Sequence, residues 1–153
     1  MLGQVNPQVD EKFRVRIPPK LREVLGAKPV ITVLSPGCMS IFSQTYWEDV
    51  QRHKYEAIPR SDLAAWSCYL KISRLSSDLE FDNQGRVLLP SKLREVFGIT
   101  KNQTLVMVAV GECFDVWEES ALDKYTETNE LPEKTVITAA DMELLSKYNL
   151  YGG

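Results

Sequence analysis

The sequence has one histidine, His53, flanked by the polar residues Arg52 and Lys54. A lone imidazole in that setting reads as a surface residue, and no second histidine is available for a Ser–His–Asp or Cys–His arrangement. Cysteine is scarce as well. Cys38, Cys68 and Cys113 are odd in number and lack C-x-x-C spacing, so they read as reduced, mostly buried thiols, with no metal site expected. No apolar run approaches the roughly 18 residues of a membrane span. No basic stretch leads into an apolar one at the start, so a cytoplasmic protein without a signal peptide is expected. Neither a phosphate-binding loop nor a dinucleotide fingerprint occurs. The adjacent carboxylates Glu48/Asp49 and Glu118/Glu119 point to different sides of a helix and make poor acid–base pairs. These absences argue against an enzyme, and no cofactor or small-molecule substrate is expected.

Positive charge is also short overall: the formal net charge is −3 and the pI about 5.3. Taken whole, that speaks against a nucleic-acid partner, but binding follows local potential. Residues 118–153 hold eight carboxylates against Lys124, Lys134 and Lys147, so residues 1–117 alone sum to +2. An acidic tail masks a mildly basic body.

What the chain does have is a duplication. Residues 10–26 read DEKFRVRIPPKLREVLG and residues 82–98 read DNQGRVLLPSKLREVFG, identical at ten of 17 positions; ordinary composition would give about one. Within each copy a short alternating stretch (Phe13, Val15 and Ile17 against Lys12, Arg14 and Arg16 in the first) predicts a strand with one face buried. Pro18 or Pro90 ends it, a helix begins at the Lys-Leu-Arg-Glu-Val segment, and Gly26 and Gly98 suit left-handed caps. Apolar pairs around tight turns then predict hairpins: Val30–Leu34 with Met39–Phe42, and Leu105–Val110 with Cys113–Trp117. Helical stretches are expected at 44–57, 63–75 and 118–126, with a last helix opening at a Thr138/Asp141 capping box. The aromatics Trp47, Tyr55, Trp66 and Tyr69 read as packing residues.

At the two Asp-x-x-x-Arg segments, Asp10 to Arg14 and Asp82 to Arg86, the chain resembles the MraZ family, a tandem form of the AbrB-like swapped-hairpin fold. Each segment leads into an apolar strand, a proline and a Leu-Arg helix, and the likeness covers roughly residues 1–125. The resemblance implies an α+β protein in which two swapped-hairpin repeats pack about a pseudo-twofold axis into a small barrel with peripheral helices. It further implies a ring-shaped homo-oligomer that binds short direct repeats of double-stranded DNA in the promoter of the division and cell-wall gene cluster, so a nucleoid-associated location is expected. The expected boundaries are a first repeat at 1–57, a connecting helix at 58–75, a second repeat at 76–126 and an acidic tail with a short helix at 127–153. An alternative is an antitoxin-like protein whose acidic C-terminal region wraps a toxin.

The candidate DNA-binding residues are Lys12, Arg14, Arg16, Lys20, Arg22, Arg86, Lys92 and Arg94. Asp10, Asp82 and Gly85 are assigned to the scaffold of the turns, because a carboxylate facing phosphate would repel it. Arg14 and Arg86 stand between two roles: closing a salt bridge to their own aspartate, or pointing outward to phosphate or a base edge. Lys20, Arg22, Lys92 and Arg94 are supporting contacts, with Glu23 and Glu95 alongside. Lys12, Arg14 and Arg16 form the best basic stripe, and the second copy offers Gln84, Arg86 and Leu88 instead. The first copy is therefore expected to be the main DNA face. One departure from the family pattern matters: glycine usually precedes the motif arginine, as Gly85 does, but the first copy has Phe13. Phenylalanine resists positive φ, so the first turn is expected to take another shape.

Overall fold

A computed structural model of the chain describes residues 3–132 and 135–148; Met1, Leu2, residues 133–134 and the last five residues of the tail lie outside them. The fold is α+β. In chain order it runs β1 (Gln4–Val5), β2 (Arg14–Arg16), α1 (Pro19–Leu25), β3 (Val30–Ser35), β4 (Cys38–Phe42), α2 (Gln44–Tyr46), a π-helical turn (Trp47–Gln51), α3 (Arg52–Glu56) and α4 (Leu63–Leu75). It continues with β5 (Ser77–Asp78), β6 (Arg86–Leu88), α5 (Ser91–Phe97), β7 (Leu105–Val110), β8 (Cys113–Glu118), α6 (Glu119–Thr128) and α7 (Ala139–Ser146).

The strands fall into a six-stranded antiparallel sheet, ordered β1-β7-β8-β4-β3-β5, and a separate ribbon of β2 and β6. Both expected hairpins form, β3–β4 around Pro36–Gly37 and β7–β8 around Gly111–Glu112. They meet through β4 and β8, with Met39 opposite Val116 and Phe42 opposite Cys113. Period-two alternation sends Ile31, Val33, Met39 and Ile41 of one hairpin, and Leu105, Met107, Phe114 and Val116 of the other, into a single core. The ribbon adds Val15 and Val87, and the following helices add Leu21, Leu25 and Leu93.

Two local expectations need correction. The first strand covers only Arg14–Arg16; Phe13 precedes it at φ 59°, and Lys12 lies in the turn. The direction of Lys12 is thus set by the turn and not by the pleat. Gly98 is a left-handed cap (φ 59°, ψ 39°), but Gly26 is not (φ 77°, ψ −172°). After Gly98 the chain turns back, with Ile99 N–H donating to Arg94 O and Gly98 N–H to Glu95 O. Gly26 donates only to Arg22 O before the chain leaves extended toward Pro29.

The aromatics pack as expected. The Trp47 ring sits between Phe42 (5.8 Å) and Tyr55 (6.3 Å), and the fully buried Tyr55 stacks on Tyr69 at 5.5 Å. The capping box of α7 is made in both directions, Thr138 Oγ1 accepting from Asp141 N–H and the Asp141 carboxylate from Thr138 N–H. This final segment docks on α4: Ile137 and Leu145 are fully buried, Lys71 donates to Asp141 at 3.0 Å, the Cys68 thiol donates to it at 3.1 Å, and the Tyr148 hydroxyl donates to Asp62.

Candidate nucleic-acid interface

Each Asp-x-x-x-Arg segment closes on itself in the same way. Asp10 Oδ1 accepts from the N–H groups of Lys12 (2.8 Å) and Arg14 (2.9 Å), while Asp82 Oδ1 accepts from those of Gln84 and Arg86, both at 2.9 Å. Asp10 N–H donates to Arg14 O and Asp82 N–H to Arg86 O, each at 2.9 Å. Phe13 N–H donates to Asp10 O (3.1 Å), and Gly85 N–H to Asp82 O (3.0 Å). The expectation that Phe13 forces a different shape on the first turn is therefore overturned: Phe13 takes φ 59° where Gly85 takes 75°. A left-handed backbone costs an L-residue about 1–2 kcal/mol. Offsetting it, the Arg94 guanidinium lies 4.3 Å from the centre of the Phe13 ring, with Lys101 Nζ at 5.6 Å.

The two turns then lock together. Antiparallel pairing of β2 with β6 sets Arg14 against Leu88, Val15 against Val87 and Arg16 against Arg86. Ile17 N–H donates to Gly85 O, and Leu89 N–H to Phe13 O, both at 3.0 Å. Arg14 Nε donates to its own Asp10 Oδ2 at 2.9 Å while its Nη1 lies 3.7 Å from Asp82 Oδ2. Arg86 mirrors it, with Nε 2.8 Å from Asp82 and Nη1 3.8 Å from Asp10. Two guanidiniums and two carboxylates form one reciprocal cluster. Burial by itself would raise the Asp10 carboxyl, but the N–H groups of Arg14 and Lys12 and the Arg14 guanidinium bring it below the ordinary carboxylate value. Asp82 is also lowered, chiefly by the Arg86 N–H, with burial opposing.

The predicted site residues thus separate into three groups. Lys12, Arg16, Lys20 and Lys92 are exposed, and Arg14 and Arg86 are half-buried in the ionic cluster. Arg22 and Arg94 turn inward, and the Nε of each is buried without a hydrogen-bond partner among the described residues. Arg94 covers Phe13, while Arg22 covers Gly85, where an added Cβ would stand 2.7 Å from its Cζ. Asp10, Asp82 and Gly85 lie in the turns assigned to them. The copies also share one ribbon, so its outer face, away from buried Val15 and Val87, carries Arg14 and Arg16 beside Arg86 and Leu88, the last 55% exposed. Sequence reasoning missed Lys101 and Asn102. Asn102 Nδ2 donates to Glu11 at 3.0 Å and tethers the first turn across 91 residues. The polar Lys101–Asn102 pair, with asparagine at φ 64°, is a turn signal that could have flagged the segment.

A duplicated α+β unit, its copies joined through a shared ribbon and a four-charge cluster, defines a tandem-repeat protein with a basic face. The family model described as "MraZ protein, putative antitoxin-like" matches residues 1–67 and 74–142. Curated proteins named transcriptional regulator MraZ are similar over most of their length. The one from Caldanaerobacter subterraneus subsp. tengcongensis is 29% identical over 133 residues, 86% of this chain and 90% of its own. That of Syntrophomonas wolfei is 31% identical over 84% and 86% of the two chains, and that of Moorella thermoacetica 30% over 94% and 99%. The chain belongs to the MraZ family of transcriptional regulators.

Proposed function

We propose that the β2–β6 ribbon and its two turns form the DNA interface of a transcriptional regulator. The observation that carries this reading is the register of Arg16 against Arg86, which gathers the basic residues of both copies on one solvent-facing strip. Residues 10–26 and 82–101 hold nine basic against five acidic side chains, +4 in a chain whose total is −3. Asp10 and Asp82 balance Arg14 and Arg86; of the cations that remain, Lys12 and Arg16 are exposed on the ribbon and its turn, with Lys20 and Lys92 exposed on the helices behind them. Each copy contributes +2 to this sum, but the exposed cations of the ribbon and its turn belong to the first, because Gln84 and Leu88 replace Lys12 and Arg16 in the second.

The finer reading follows the family resemblance. Residues 1–57 and 76–126 are two swapped-hairpin repeats about a pseudo-twofold axis in a small barrel, with a connecting helix at 58–75 and an acidic tail at 127–153. Copies assemble into a ring that engages short direct repeats upstream of the division and cell-wall genes. Physics favours the combination: a protomer with few phosphate contacts binds weakly and with strong salt dependence, and several linked faces recover affinity through effective concentration. An antitoxin-like reading needs the acidic C-terminal region free for a toxin, whereas Ile137 and Leu145 are buried against this chain's own core. Co-purification of a small basic toxin would favour it nonetheless.

The test is footprinting on the protein's own upstream DNA, followed by affinity across a salt series for Lys12→Ala and Arg16→Ala. Protection at evenly spaced short repeats is expected, and each variant flattens the salt slope by about one unit per lost phosphate contact. An unchanged slope in both removes the ribbon from the interface.

A further inference from the structure

Arg22 and Arg94 occupy the same step of the duplicated helix, α1 in one copy and α5 in the other, and both are half-buried. The Nε of each is buried with no hydrogen-bond partner among the described residues, so hydrogen bonding at that atom does not explain its position. Each crosses instead to the turn of the other copy. The Arg94 guanidinium carbon lies over the Phe13 ring, 4.3 Å from its centre. Arg22 lies on Gly85 so closely that a Cβ there would sit 2.7 Å from its Cζ and Nη1. The turn residue is at positive φ in both cases.

The local hydrogen bonds of this turn are the same as those around Gly85, but phenylalanine, unlike glycine, is strained at positive φ. Contacts from the second copy add to that turn: the guanidinium over its ring, Lys101 beside it, and the Asn102–Glu11 hydrogen bond at 3.0 Å. Lys12 is the residue immediately before Phe13, so the φ of Phe13 and the direction in which Lys12 leaves the protein are set together. We infer that Arg94 is a positioning residue for DNA binding: from the second copy it clamps Phe13 and thereby aims Lys12, without itself touching DNA. Arg22 has the matching duty at Gln84–Gly85, where no cation follows, so its effect on DNA affinity is smaller. This inference rests on the ribbon being the DNA interface.

The experiment is a double-mutant cycle read by affinity for the protein's own upstream DNA, with thermal melts of every variant alongside. Arg94→Ala is expected to weaken binding about fivefold, and to add no loss in a Lys12→Ala background. Arg94→Lys should behave like Arg94→Ala, because lysine keeps the charge but not the planar guanidinium. Arg94→Lys also serves should Arg94→Ala fold poorly. Phe13→Gly should abolish the sensitivity to position 94, since glycine takes positive φ unaided. The inference is overturned if the Arg94→Ala loss persists in full in the Lys12→Ala background, or if Arg94→Lys restores affinity, since either marks a direct phosphate contact. A lower melting temperature with unaltered affinity of the folded protein also overturns it, leaving a purely structural role. Failure of the underlying interface has its own signature: Lys12→Ala and Arg16→Ala then leave both affinity and salt slope unchanged.

Discussion

Phe13 and Gly85 occupy the same step of the same turn, yet only one carries a side chain. A clear asymmetry in tolerance follows. Gly85→Ala meets both an unfavourable φ, costing about 1–2 kcal/mol, and the Arg22 guanidinium at 2.7 Å. Gly111→Ala meets only the first, because nothing lies within 4 Å of a Cβ there. Urea denaturation should therefore show the larger loss at Gly85, and equal losses would mean that Arg22 moves aside freely. The sequence misled at Phe13 for a physical reason. Local preference argues against positive φ, and the partner that stabilises it, Arg94, lies in the other copy. Arg14 with Asp10 and Arg86 with Asp82 were legible as i,i+4 pairs, whereas the cross-copy contacts had no local sign. The same blindness applies to Arg22 and Arg94, whose contacts with Gly85 and Phe13 of the other copy leave no sign in the local sequence.

Helices, hairpins and caps were largely readable. Val30–Leu34 and Met39–Phe42 alternate around a Pro-Gly turn, and Thr138 with Asp141 announces the start of α7. Pairing was not readable, because three-residue strands such as Arg14–Arg16 carry no mark of their partner. The docking of α7 was hidden for a similar reason, since nothing in the acidic tail marks α4 as the surface on which Ile137 and Leu145 are buried. Truncating Leu145 to alanine should cost about 2–5 kcal/mol in thermal or chemical denaturation; a near-zero change would mean that α7 is not docked in solution. Burial alone would raise the Asp141 carboxyl, but the Thr138 N–H, the Cys68 thiol and the Lys71 ammonium together bring it down to about 2. A carboxyl lowered on folding stabilises above its unfolded value near 3.8 and loses that contribution as pH falls toward 2. Asp141→Asn should accordingly lower stability at neutral pH by about 1–2 kcal/mol and flatten the acid limb between pH 4 and 2. An acid limb identical to that of the parent protein would contradict the assignment.

Across the whole molecule, the copies depend on one another. The ribbon takes one strand from each copy, the six-stranded sheet joins them through β4 with β8, β1 with β7 and β3 with β5, and both contribute to one core. Fragments 1–57 and 76–126 expressed separately should lack stable structure, while the full chain should melt in a single transition; circular dichroism of either fragment showing a cooperative melt would refute this. The net charge concealed the basic face, because carboxylates distributed over the rest of the chain outnumber its excess of cations.

The exchange of arginines between the two turns also bears on how such a chain can change over generations. After a duplication, paired segments are often expected to drift apart, one free to vary while the other keeps the original task. Here position 13 answers to position 94, and position 85 to position 22. The bulky residue in the first turn lies under an arginine of the opposite copy, 4.3 Å from its ring centre, and losing that arginine would strand it. Divergence between the halves must therefore proceed in cross-linked steps, with each copy acting as the other's constraint.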